Sequence, residues 1–547
     1  MTWSSRTAAV GIALGLLTAR PPDRLTAQAS AATIDTIIVV NRNVFDLRDA
    51  DAPGFIARLA NRLHARTRAG VIRGTLLVND GDSYDSARVA ESERALRNLH
   101  VFSRVRIDTT RLDGRLALRV ATTDGWSTKP QLGYSSAGGD ATWLLGLVED
   151  NLLGTATSLT AVYNKTPDRS VFKLGYVSPH FFGRRTLLEG AYNDKSDGTQ
   201  GTWLVGVPFY ETAARRAVTT DGEAASERVL LFKDGVPDMS GRVLVSPNGT
   251  PRTIPTPTGA LERRALRVKV TAGFAPRATT EDYLRLWISG QWRREDFDSL
   301  RTTLFARSVF GTAGAGFDLA HVRFQVLERF NSYARREDVD VSHLFHFGVW
   351  AAPRAWGYPS GQAGAGTEMS VQLAAPWAGG FAVLRAAGNG VFTAGVPDSG
   401  RVSGALTIAS QNLPSQTLVL HVEGAELRRP KPGSEFDLWG TQNGPRVFGI
   451  HQFTGTHMVW LALEDRLLVA DDVWGLMGVG VAPFFDYGGA WYPAEPARLG
   501  GDIGVSLRIG PTRAVRGDVA EFAVGYRFGK GVTGGRWGLA IRKGVSY

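Results

Sequence analysis

From about residue 128 to the C-terminus the side chains of this chain alternate between two kinds, one residue at a time, and that period restricts its fold more than any other feature. Phe522, Val524, Tyr526 and Phe528 share one face, opposite Ala523, Gly525, Arg527 and Gly529. Trp537, Leu539, Ile541, Val545 and Tyr547 repeat the pattern against Gly538, Ala540, Arg542, Gly544 and Ser546. Ile503, Val505, Leu507 and Ile509 do the same, as do Phe172, Leu174 and Tyr176. Successive residues of a β-strand point to opposite faces, so this is strand sequence with one apolar, aromatic face and one small or charged face. A soluble sandwich also alternates, but its outward face is rich in Lys, Glu and Thr. Here the second face keeps Gly and Arg, as the lumen of a membrane barrel can. Tilted spanning strands need about 9–11 residues, and closure into a barrel satisfies every backbone hydrogen bond in lipid. Roughly 420 residues at about 26 per strand and turn predict a transmembrane antiparallel β-barrel of about sixteen strands.

Composition agrees. The chain holds 64 Gly and 14 Trp with 10% aromatic residues, which suits tight turns and pleated surfaces. At 43% hydrophobic residues it is too polar for a bundle of membrane helices, and after the N-terminus no stretch approaches the roughly 20 apolar residues a spanning helix needs. Turns fall into two sets, with 137–140 and 165–168 on one side and 149–156 and 179–184 on the other. The stretch 232–262, rich in Gly, Pro, Ser and Thr, reads as a long loop.

The first 31 residues read as an export signal. Arg6 gives a positive start, Ala8–Ala19 a short apolar core, and Ala27-Gln28-Ala29 and Ala29-Ser30-Ala31 small-residue cleavage sites. The absence of cysteine suits folding through an oxidising compartment and excludes thiolate chemistry. Residues 32–125 then read as a small α+β domain. Ile34–Val40 is a strand, Pro53–His64 a helix with Phe55, Ile56, Leu59 and Leu63 on one side, and Asp85–Asn98 a second helix. In that second helix Val89, Leu96 and Leu99 face inward, while Arg88, Glu91, Glu93, Arg94 and Arg97 form a solvated face. Val101–Asp108 and Arg115–Thr122 close the domain as a hairpin around Leu112-Asp113-Gly114.

The run GDSYDSARVAESERALRNLHVFSRVRI, from a Gly-Asp turn through a helix into a strand, resembles a POTRA domain, the periplasmic module of outer-membrane assembly proteins. Four later segments resemble BamA/TamA-type outer-membrane protein assembly factor barrels. LVEDNLLGTATSLTAVY (Leu147–Tyr163) is similar to the early strand pair, with an acidic residue before Asn-x-x-Gly. Leu438–Arg466 is similar to the inward-folding loop and the Glu-x-Arg strand after it, Phe484–Trp491 to the Phe-x-Asp-x-Gly strand, and GDIGVSLRIGP with the last strand to the closing strands. The resemblance implies that Arg446 is the loop arginine, Phe448 its aromatic companion and Asp486, ahead of Gly488, the receiving carboxylate. Glu464 and Arg466, two apart and so on one face, help hold the loop. The family's Gly between arginine and aromatic is Val447 here, and a β-branched residue does not take positive φ cheaply, so the loop tip is expected to take another backbone shape.

The same resemblance implies an outer-membrane location in a diderm bacterium, with residues 32–125 in the periplasm and 126–547 as the barrel. It implies a seam between a first strand near Lys129–Ser135, carrying Leu132 and Tyr134, and a last strand carrying Trp537, Leu539, Ile541 and Tyr547. Its partners would be lipopolysaccharide and phospholipid, unfolded β-barrel or secreted polypeptide clients, and periplasmic chaperones or lipoproteins. A channel for solutes or one secreted partner, and a surface enzyme or adhesin, are the alternatives. The net charge of +10 comes with arginines scattered through strands, which argues against nucleic acid and for a polar lumen or lipid phosphates. No metalloprotease, hydrolase, P-loop or Rossmann motif occurs, so no enzyme and no cofactor are expected. Gly311, Gly314 and Gly316 read as close-packed strand positions. His343 and His346 fall on opposite faces of a strand, and the acidic pairs Asp338–Asp340 and Asp471–Asp472 suit rim carboxylates of a surface enzyme and solvated loop acids equally well.

Overall fold

The computed structural model describes residues 32–47, 54–137, 140–183, 185–238, 242–245, 251–254, 260–299, 302–303, 308–333, 337–358, 362–438, 443–512 and 519–543. The expected export signal and Tyr547 lie outside them. The N-terminal unit runs β1 (Thr36–Arg42), α1 (Gly54–Leu63), α2 (Ala69–Thr75), α3 (Ser86–Asn98), β2 (Phe102–Leu112) and β3 (Arg115–Asp124). Its sheet has the order β1-β3-β2, with β1 parallel to β3 and β2 antiparallel to it. Asp85 caps α3 by accepting the Ala87 N–H at 2.9 Å, which uses one of the donors a helix start leaves unpaired. Val89 and Leu96 then pack with Ile34, Ile37, Ile72 and Leu118 in the core.

Helix α2 has no counterpart in the sequence reading, because its seven residues are too few to display a period. On α1, Phe55 and Leu59 are exposed, at 66% and 50%, and Ala57 is the residue that packs against Val44 and Phe45.

The remaining described chain forms one barrel of twenty antiparallel strands, with Trp537–Lys543 beside Thr128–Ala137. The expected sixteen is corrected upward. The early strands are short, such as Ser158–Lys165 and Ser170–Ser178, and their turns are tight, so each strand and turn uses roughly 21 residues instead of about 26. The alternation sets the two surfaces. Leu145, Ile288, Val505, Phe522, Trp537 and Leu539 stand exposed on the outside. Ser506, Arg508, Glu521, Ala523, Ala540 and Arg542, between them in sequence or on neighbouring strands, are buried inside. Among the described residues no helix is long and apolar enough to cross a membrane, which does not bear on crossing by strands.

The N-terminal unit is stitched to one end of the barrel. The Asn151 amide donates to the Ala65 carbonyl and the Thr67 hydroxyl, both at 2.9 Å, while its oxygen accepts the Ala156 N–H at 2.9 Å. Gly154 has φ +74, and a Cβ there would collide with the Arg66 carbonyl, so the Asn-x-x-Gly motif is the socket for the 64–68 linker. Helix α3 adds further contacts. The Thr212 N–H donates to Glu91 at 2.7 Å, and Arg97 holds Asp338 through Nε at 2.6 Å and Nη2 at 2.9 Å. The helix face expected to be solvated is therefore partly a docking face.

Candidate functional site

Two inward-folded pieces of chain meet inside the barrel. The connection between strands Gln416–Arg428 and His457–Val473 enters from the end opposite the N-terminal unit, on a short hairpin that pairs Phe436–Leu438 with Phe453–Gly455. Its tip carries Arg446, which is 0% exposed. The Arg446 guanidinium donates to Asp486 from Nε at 2.6 Å and Nη2 at 3.0 Å, to Glu464 from Nη1 at 2.9 Å and to Glu521 from Nη1 at 2.7 Å. It also lies 3.9 Å above the Phe484 ring. The planar fork of an arginine suits this bidentate reception by a carboxylate.

The carboxylates are shared with further arginines. Glu464 also accepts from Arg466 and, at 2.8 Å, from Arg508, and Glu521 accepts from Arg542 at 2.9 Å. Burying an ion is costly unless its charge and lone pairs are answered, and here each carboxylate around Arg446 answers more than one donor or is met bidentately. The result is a dry, cross-linked patch between the loop tip and the wall strands Met477–Trp491, Gly500–Pro511, Ala520–Gly529 and Trp537–Lys543.

Val447 needs no unusual backbone, since it is absent from the residues of positive φ. Its N–H donates to Asp502 at 2.8 Å, and its side chain packs on Phe484, Ala523 and Ala540. The wall makes room with glycine: a Cβ on Gly538 would lie 2.8 Å from the Val447 carbonyl oxygen, and one on Gly525 3.2 Å from its side chain. Two wall glycines thus take up the bulk of the loop's valine, and one of them is on the last strand. Phe448 is buried against Phe453, with ring centroids 5.2 Å apart, outside the ion cluster. Gly488 faces Trp460 across the ladder, where a side chain would strike the Val459 carbonyl.

A second contact fastens the loop to the early strands. The His451 imidazole stacks on Phe232 at 3.5 Å, donates from Nε2 to Asp168 at 2.8 Å, and donates from Nδ1 to Asp437. Burial works against its charged form, but the bonds and charges of Asp168 and Asp437 outweigh burial and push the imidazole up to about 9.

Of the expected residues, the structure brings Arg446, Asp486, Glu464 and Arg466 into one cluster. Leu132, Tyr134, Trp537 and Leu539 lie exposed on the outer face on either side of the seam, with Ile541 half-buried. Glu521, Asp502, Arg508, Arg542 and His451 were not singled out from sequence. Glu521, Arg508 and Arg542 carried a signal, since they are charges at the inward positions of otherwise apolar closing strands and are paired in register. Gly316 packs under Trp287, as close-packed strand glycines do, and His346 bonds Asp318 at 2.6 Å while His343 points the other way. Asp338 and Asp471 are not free loop acids, being paired with Arg97 and Arg329.

No family model matches the chain. A stretch of 124 residues is 29% identical to the outer membrane protein assembly factor BamA of Neorickettsia risticii (strain Illinois), covering 22% of this chain and 16% of that protein. Among solved structures, BamA from Haemophilus ducreyi lacking POTRA domains 1-3 is similar over 93% of this chain and 83% of its own, at 11% identity and a TM-score of 0.36. CdiB from Escherichia coli is similar over 93% and 76%, at 12% identity and a TM-score of 0.47. CdiB from Acinetobacter baumannii is similar over 93% and 73%, at 10% identity and a TM-score of 0.43.

Proposed function

We propose, from the chain's place in the BamA/TamA-type outer-membrane assembly family, that it sits in the outer membrane and helps other β-barrels insert there or moves polypeptide across. The observation that carries this reading is the docking of the Arg446 loop onto the closing strands: three carboxylates hold the tip, and Val447 seats on Gly525 and Gly538 beside the seam. A loop tied to the last strand can sense or set the state of that strand. A solute channel would keep its lumen open, and an inward loop whose arginine is anchored on three carboxylates works against that.

In this reading residues 1–31 are the export signal. Residues 32–125 are a POTRA-like domain in the periplasm, whose outer sheet strands β1 and β2 offer edges on which an extended client adds a strand. The exposed apolar band contacts lipid, and the first and last barrel strands part to template the client.

The chain has no cysteine, so pairs can be placed across the seam without background. Purified protein in liposomes is expected to accelerate insertion of an unfolded test barrel, and oxidation of a cysteine pair joining Thr128–Ala137 to Trp537–Lys543 is expected to stop it. Undiminished insertion by the crosslinked protein would refute the seam, and no acceleration by the wild type would refute the assembly role.

A further inference from the structure

The second inward piece comes from the end that carries the N-terminal unit. The connection between strands Ser308–His321 and His343–Ala352 is not a tight turn. Its arms Phe324–Leu327 and Glu337–Asp340 pair as a hairpin, and Phe330 and Tyr333 between them enter the lumen. Phe330 is 1% exposed and meets Phe381 edge to face at 5.3 Å, with Val383, Ala409 and Val419 around it. The Tyr333 ring fills a recess that three wall glycines leave open. A Cβ on Gly478 or Gly480 would stand 2.6 Å from it, and one on Gly510 2.9 Å.

Part of this piece's fold is internal, since Glu337 accepts the N–H groups of Asn331 and Ser332 at 3.0 Å each. The piece is held inside the lumen, along the rim of the wall and from outside. At the rim Gln411 donates to the Glu328 carbonyl and Gln325 to the Trp377 carbonyl, both at 2.7 Å, and Arg329 pairs with Asp471. Within the lumen, Arg466 donates to the Phe330 carbonyl at 2.6 Å and Tyr333 donates to the Arg508 carbonyl at 3.2 Å. Outside, α3 grips it by the two-pronged Arg97–Asp338 pair and by Arg94, which lies 4.2 Å above the Phe324 ring. Arg466 and Arg508 also hold Glu464, which holds Arg446, so the two inward pieces meet on one carboxylate.

We propose that the arms 323–333 and 337–342 are a removable stopper of the lumen, latched by the Arg94–Arg97 face of α3, and that freeing Asp338 from Arg97 opens a passage through the barrel. A wall lined with glycine where the stopper sits, a fold partly internal to the stopper, and a polar clamp at its outer edge are the parts such a device needs. An acidic segment that took Asp338's place on Arg97 would act as the release. The inference rests on the membrane-barrel reading but not on the assembly activity, because passage of ions needs no client.

The test is single-channel conductance of the full chain in planar bilayers, with heat-modifiable gel migration checking that each variant is a folded barrel. Asp338→Arg is expected to raise the open fraction at least tenfold, and the charge swap Arg97→Asp with Asp338→Arg to return it towards wild type. The pair Tyr333→Cys and Gly478→Cys places two Cβ atoms 3.1 Å apart, so a small outward shift brings them to the roughly 3.5–4.5 Å of a disulfide. In an Arg97→Ala background, which frees Asp338, its oxidised form is expected to be shut and to open on dithiothreitol. Should Asp338→Arg misfold, the redox pair still decides, since both states are one polypeptide. Folded Asp338→Arg with wild-type conductance, or a crosslinked pair that dithiothreitol leaves unchanged, would overturn the stopper. Loss of client insertion with normal gating would instead count against the assembly reading alone.

Discussion

Replacing Arg446 by alanine should be among the most damaging single substitutions in this barrel. Arg446 is fully buried and answers Asp486, Glu464 and Glu521 at 2.6 to 3.0 Å. Without it, Asp486 loses both prongs of its partner, and Glu464 and Glu521 fall back on Arg466, Arg508 and Arg542. Removing one side of a buried ion pair costs about 3–5 kcal/mol, because the charge left behind has no water to return to. Arg446→Lys keeps a positive charge but cannot span three acids, and should lose about half as much. Asp486→Ala should cost less than Arg446→Ala, since the arginine keeps two of its three acceptors. The double variant restores the charge balance and should be about 1–3 kcal/mol better than the sum of the singles, the coupling expected of groups in one network.

The assay is the folded fraction read by heat-modifiable migration across a urea series in detergent, at fixed pH and salt. A loss below about 1 kcal/mol for Arg446→Ala would mean that water reaches the cluster and that the loop is not clamped. Strictly additive losses in Arg446→Ala and Asp486→Ala would refute the direct pairing.

Three further outcomes follow from other contacts. His451 is held up at about 9 by Asp168 and Asp437, against an ordinary 6.5, so its contribution to holding the loop is full below about pH 6.5, falls above that and is gone past pH 9; protease cleavage within 443–452 should rise over that window, and a flat profile would remove the latch. Gly538→Val places a side chain where Val447 sits, so it should expel the loop tip and cost several kcal/mol, while Gly538→Val combined with Val447→Gly should recover part of the loss in the same urea assay. Asn151→Ala strips the socket of the 64–68 linker of two side-chain bonds and one loop bond, so the N-terminal unit should be released by brief trypsin treatment while the barrel migrates as before; co-resistance of both parts would show that the remaining contacts, those of Arg68, Thr75 and α3, hold the unit without the socket.

What the sequence displayed was period and chemistry at single positions. The alternation around Phe522–Phe528 and Trp537–Ile541 marked the membrane face, because a two-residue period survives regardless of the partner strand. Arg446, Asp486, Glu464 and Arg466 were legible through resemblance, and their meeting needed only that the loop turn inward. The strand number was not legible, since it depends on turn lengths that differ between the tight early hairpins and the long later strands. Glu91 and Arg97 looked solvated because helical spacing reports a polar face, and a polar face docked on another polar surface has the same spacing as one in water. The segment 323–342 was invisible for a related reason: Phe330 and Tyr333 are two aromatics in an aperiodic stretch, and nothing local says that glycines at 478, 480 and 510 await one of them.

The strand number and the charge are connected. A barrel's diameter grows with its strand count, and twenty strands enclose far more space than wall side chains can fill. The chain fills it from both ends with pieces of its own backbone, and backbone brought indoors carries N–H and C=O groups that must be answered. The Val447 N–H goes to Asp502 and the Phe330 carbonyl to Arg466. Charged wall residues serve this better than neutral ones, because one guanidinium satisfies a carboxylate and a carbonyl together, as Arg466 does. The arginines scattered through strand sequence, part of the +10 that could be mistaken for a nucleic-acid surface, are therefore in good part the fittings by which a wide barrel holds its own inserts. Truncating both inserts should therefore leave the closing strands with unmatched inward charge at Asp486 and Asp502, which lose Arg446 and the Val447 N–H, and that shortened barrel should fold only when both are neutralised with it. Stable folding of the truncated barrel with both charges intact would show that water in the emptied lumen can replace the inserts.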